Sequence, residues 1–162
     1  MSLINILVDA IVISIILLGG VFLMIKINPR SQLHNYPPQI RDSVPPMTKA
    51  DKRILLLVGI PIFLMIIGYI IISFYIRYQG TEVSYVTILA HWVIVYFAVC
   101  CIDLFIGDYG IFCTLTPKFI IIPGTEGNPA YKDKSYHTKT IPAMFLVIIV
   151  CSLLSSLVYF LT

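Results

Sequence analysis

The chain has 162 residues, 59% of them hydrophobic and only 12% charged, with a formal net charge of +3 and a mean hydropathy of +0.95. Soluble domains carry about a quarter of their residues as charges, so this composition excludes an ordinary water-soluble globule and makes lipid the main solvent. The length is that of one domain, and no nucleic-acid partner is expected.

A spanning helix needs about 20 mostly apolar residues to cross a hydrocarbon core ~30 Å thick. Four segments meet that length, so the expected fold is an all-α integral membrane domain of four transmembrane helices. Helix one, about residues 4–25, contains one charge, Asp9. It lacks a basic leading region and a small-residue cleavage site, and its apolar run is too long for a secretory signal.

The loop at residues 26–53 contains INPRSQLHNYPPQIRDSVPPMTKADKR. Its two Pro-Pro pairs favour extended, polyproline-like backbone over a long helix. TKADKR reads as a helix start, with Thr48 as N-cap and Asp51 at the third helical position. His34 and Tyr36 are available to line a site, though a loop histidine is more often simply solvated.

Helix two, residues 54–76, contains no charge, and Pro61 is expected to kink it. Helix three, residues 85–106, contains His91 and Asp103, and helix four, residues 141–161, contains no charge. Gly19-Gly20, Gly59, Gly68 and Ser152-x-x-x-Ser156 supply small faces for close helix packing.

The loop at residues 107–140 is the most informative. TPKF places proline at the second position of a β-turn. That turn separates IFCTL from FIII, two runs rich in β-branched and aromatic residues. A short β-hairpin lying on the inner leaflet is expected, too apolar to stand in water without lipid or another chain against it. The run DYGIFCTLTPKFIIIPGTEG, followed by YKDKSYH, resembles an uncharacterised family of small multipass bacterial membrane proteins with an IPGTEG-type loop. That resemblance covers roughly Asp103 to His137 and implies that the loop defines the family. It carries no activity over.

Charge placement gives an orientation. Of the eleven basic residues, Lys26, Arg30, Arg41, Lys49, Lys52 and Arg53 lie around the first loop. Lys118, Lys132, Lys134 and Lys139 lie in the second, leaving only Arg77 between helices two and three. The positive-inside bias therefore predicts both long loops in the cytoplasm and both termini outside, and the resemblance implies that the membrane is a bacterial cytoplasmic one. Membrane lipids are the expected partners, with anionic headgroups drawn to the basic loops. A protein partner or a second copy of the chain is also compatible.

The four cysteines form no C-x-x-C pair and no zinc-type spacing with histidine. They read as structural and reduced. No cofactor motif is present, and a metal at the second loop is left open.

Asp103 and Asp108 stand where helix three runs out. A lipid-facing carboxylate costs from ~2.5 to more than 10 kcal/mol, so Asp103 is expected to face the bundle or water, on the face of Trp92, Tyr96 and Val99. Asp108 lies near the helix C-terminus, where the macrodipole disfavours an anion. It should therefore take a basic partner (Lys118, Lys132 or Lys134) or a cation. Asp103, Asp108, Glu126 and His137 are the candidate catalytic set, being hard-metal or acid/base residue types. The plainer alternative is that the aspartates anchor the loop through lysines or backbone N–H groups. Asp9 and His91 form a candidate intramembrane polar pair, either hydrogen-bonded across the bundle as glue or acting as a proton relay. Three functions stay open: an accessory protein docking through the hairpin, a membrane-surface enzyme acting on a lipid or other amphiphile, and a small transporter or channel built as an oligomer.

Overall fold

In lipid every backbone group must be satisfied within the protein, and a helix does this inside one segment. The computed structural model describes residues 2–78, 80–139 and 141–161. In chain order α1 (Leu3–Ile27) leads to a 3-10 helix (Pro29–Asn35), α2 (Pro38–Arg41) and α3 (Lys49–Tyr78). Next, α4 (Tyr85–Ile102) continues directly into a π-helical segment (Asp103–Leu115). A 3-10 turn (Pro129–Lys132), α5 (Lys134–Thr138), α6 (Ile141–Ser156) and a last 3-10 stretch (Leu157–Leu161) complete the described chain. Four helices are long and apolar enough to cross a membrane: Leu3–Ile27, Lys49–Tyr78, Tyr85–Leu115 and Ile141–Phe160.

Local chemistry sets where the helices begin. At α3 the Asp51 N–H donates to Thr48 Oγ1 (3.2 Å) while the Thr48 N–H donates to Asp51 Oδ2 (2.7 Å), a reciprocal capping box. The same carboxylate accepts from the side chains of Asn28 (2.7 Å) and Arg30 (3.4 Å). It thereby ties the end of α1 to the start of α3. Ser84 caps α4 through the Thr87 N–H (3.3 Å).

Packing runs α3 on α1, α1 on α4 and α4 on α6. Gly20 lets α1 approach α3, since a Cβ there would collide with the Ile62 side chain. Serines join α6 to α4: Ser155 Oγ is 2.9 Å from the Tyr96 hydroxyl, and Ser156 donates to the Tyr85 hydroxyl at 3.0 Å. Large apolar side chains such as Leu57, Phe63, Ile76, Phe97 and Leu146 point outward, as lipid-facing positions do.

A second core forms outside the bundle, where the two long loops meet. Tyr36, Ile40, Ile120 and Ile122 are fully buried there, packed with Leu33, Phe112 and Tyr131. Tyr36 donates its hydroxyl to the Ile120 carbonyl (2.8 Å), and burial raises its phenol pKa far above the ordinary range. The first Pro-Pro pair is not extended throughout, because Pro38 opens α2.

The β-hairpin expected in the second loop does not form, and no β-strand occurs among the described residues. IFCTL continues the third spanning helix. FIII enters reverse turns, with the Ile120 N–H donated to the Pro117 carbonyl (2.9 Å) and the Ile121 N–H to the Lys118 carbonyl (3.2 Å). Burial against Tyr36 and Tyr131 satisfied these side chains better than a strand edge would, which is how context overrides β-propensity.

Candidate functional site

The π-helical segment builds the site. Its turns close between residues five apart, as in the Thr116 N–H donated to the Ile111 carbonyl (3.0 Å). Such turns are rare and concentrate at functional sites. They bring residues four or five apart onto one face, so Asp103, Gly107, Asp108 and Phe112 line the same cavity. The segment stops at Thr116, which adopts the left-handed conformation (φ 40°) and returns its hydroxyl to the Phe112 carbonyl at 2.9 Å.

The cavity has a volume of about 400 Å³, within the range of small-molecule sites. One wall is apolar and belongs to α1, chiefly Leu17, Leu18, Val21 and Phe22. The polar end is formed by Asp103, Asp108 and His137, with Gln32, Tyr36 and Tyr136 beside them. Asp133 holds α5 in place by accepting the Ser135 N–H (2.9 Å) and hydroxyl (2.6 Å), and α5 supplies His137.

His137 Nδ1 lies 3.1 Å from Asp108 Oδ2. The basic partner of Asp108 is therefore this imidazole and not a lysine; Lys134 sits over the Tyr109 ring instead, 5.6 Å from its centre. Asp103 folds over Gly107, where a Cβ would meet Asp103 Oδ1 at 3.1 Å and Leu18 Cδ2 at 2.8 Å. Among the described residues the Asp103 carboxylate has no hydrogen-bond or ion-pair partner. Trp92 and Tyr96, expected beside it, belong to the bundle core.

Glu126 does not join the cluster. It is exposed and accepts the Gly124 N–H at 2.9 and 3.1 Å, stabilising the turn in PGTEG. Among the described residues no three His, Cys, Asp or Glu side chains stand close enough to hold a metal ion.

A separate polar network crosses the other half of the bundle. The fully buried Asp9 accepts from Tyr69 (2.6 Å), Ser73 (3.1 Å) and Arg77, and lies 2.7 Å from His91 Nε2. Asp9 and His91 thus meet, but three residues of α3 meet them too. The sequence alone places Arg77 between helices two and three, outside the bundle, and does not single out Tyr69 or Ser73. The signal that would have found them is their spacing, since positions 69, 73 and 77 share one helix face.

No family model, curated protein or solved structure matches this chain. The cavity and the buried network differ in what their chemistry can do. At the cavity a carboxylate orients an imidazole beside an apolar wall, which suits proton transfer on a bound amphiphile. In the Asp9 network both charges are mutually paired, which suits a clamp.

Proposed function

We propose that the chain is a bacterial cytoplasmic-membrane protein that binds a lipid-like amphiphile in this cavity and acts on its polar end by acid–base chemistry. In this reading both long loops face the cytoplasm and both termini lie outside. Its main support is the sharing of one cavity by Asp103, Asp108, His137 and the apolar face of α1.

An amphiphile has one end for each kind of wall. Its chain would lie along Leu17, Leu18 and Val21, and its head would reach the Asp108–His137 pair. Asp108 orients the imidazole, and His137 exchanges a proton with the head or with a water beside it. Serine and cysteine are missing from the described lining, so the support is for direct proton transfer and not for a covalent intermediate on those residues. The docking reading needed an exposed strand edge, and the loop that would supply one is folded against Tyr36 and Tyr131.

The test is to purify the chain in a nonionic detergent and identify co-purifying lipids by mass spectrometry. The expected outcome is a discrete bound amphiphile that Leu18→Trp, which fills the cavity, displaces. His137→Ala should retain the amphiphile but fail to convert it when a total lipid extract is supplied. Equal lipid content in the native chain and Leu18→Trp would defeat the proposal.

A further inference from the structure

The wall of the same cavity also discriminates between head groups, and this step rests on the amphiphile reading above. We propose that the head group it takes is a cation, an ammonium carried at the end of an alkyl chain. Two carboxylates, Asp103 and Asp108, line the polar end, and no lysine or arginine appears in the described lining. Asp108 lies 3.1 Å from His137 Nδ1, and that single imidazole also faces Asp103, so it cannot offset both carboxylates. Asp103 has neither a hydrogen-bond nor an ion-pair partner among the described residues. A carboxylate at the membrane boundary is costly without a counter-charge, and an ammonium head would supply one.

The neutral groups point the same way. Gln32 is committed on both sides, donating to Met24 Sδ (3.2 Å) and accepting from Asn35 (2.8 Å). Tyr36 spends its hydroxyl on the Ile120 carbonyl and its ring is fully buried, so it offers the ligand no donor. That ring meets Phe112 edge-on, centres 5.2 Å apart, with Tyr136 also in the wall. Aromatic rings attract ammonium groups through their negative faces. A phosphate or carboxylate head would instead meet two like charges.

Competition on the native chain tests this without any variant. Native mass spectrometry from a nonionic detergent would count adducts in an equimolar mixture of hexadecylamine, hexadecanol and hexadecyl phosphate. Hexadecylamine should exceed each of the others by roughly tenfold, the scale of one charge-assisted contact. Asp103→Asn should remove that preference, and Asp42→Asn, on the exposed first loop, should keep it. Should Asp103→Asn fail to fold, Phe112→Leu serves as the second variant and should reduce the preference by removing a ring. Adding hexadecylphosphocholine separates the sources: its binding beside the amine assigns a phospholipid-type ammonium, and its exclusion assigns a simple amine. Alcohol or phosphate bound as well as amine overturns the cation proposal and leaves the amphiphile reading standing. No adduct with any chain defeats both.

Discussion

At the scale of single residues, the clearest test is Asp9. A fully buried carboxylate is tolerable only because Arg77, Tyr69, Ser73 and His91 converge on it. Removing one partner of a buried pair leaves the other charge uncompensated, at ~3–5 kcal/mol. Asp9→Ala should therefore lower stability by about that much, measured by reversible unfolding in mixed micelles. His91→Ala leaves the Asp9–Arg77 pair intact and should cost nearer to ~1 kcal/mol, in line with polar contacts between membrane helices. Equal losses would mean that the imidazole, not the guanidinium, neutralises Asp9. The Asp9–His91 contact was legible in the sequence because a lone intramembrane carboxylate demands a partner. Arg77 was not, because an arginine ending an apolar run looks the same whether it turns outward to water or back to a buried acid.

The third spanning helix runs on to Leu115 as π-helical turns, and its extra length carries Asp108 past α1 to reach His137. Hydropathy ended that helix near residue 106, because Asp103, Gly107, Asp108 and Gly110 lower the local average. Nothing in a propensity scale reports an i→i+5 register. Gly107 is where the register meets α1, so Gly107→Ala should force Leu18 and Asp103 aside at a cost of about 1–3 kcal/mol, the usual range for overpacking. A thermal melt of the variant checks this, and Leu18→Ala in the same chain should recover part of the loss. The other element that sets the site is α5, which depends on its Asp133 cap. Hydrogen bonds from the Ser135 side chain, then the backbone N–H groups, hold the Asp133 carboxyl below its ordinary pKa. A depressed carboxylate pKa gives stability that is present above the unfolded value, about 3.9, and is lost as pH falls through the folded value. Amide protection across 134–138, relative to the intrinsic exchange rate, should therefore fall below about pH 4, and Asp133→Ala should show the lowered protection already at neutral pH.

On the scale of the whole molecule, the two long loops are one structure. Tyr36 from the first bonds the Ile120 carbonyl of the second, and both are buried in a core that also takes in Ile40, Phe112 and Tyr131. Two segments that share a core must lie on the same side of a bilayer, so the spans between them must cross in pairs. The four apolar helices satisfy that parity without reference to charge. Basic residues then choose the side: Arg77 sits at the far end of α3, and the other ten belong to the end of the bundle that carries the loops. The bias predicts that this end is cytoplasmic. In a chain whose four native cysteines are replaced by alanine, a cysteine at Ser43 or Asn128 should stay unlabelled by a membrane-impermeant thiol reagent in intact cells and react after permeabilisation. One at Thr81, between α3 and α4, should react before it. Because the loops interlock, the first two positions must agree; Ser43 labelled from outside while Asn128 is protected would break the shared core and the four-span arrangement together. Both labelled from outside, with Thr81 protected, would leave the fold standing and invert it in the membrane. The cavity would then face the exterior, and its amphiphile would have to come from the outer leaflet.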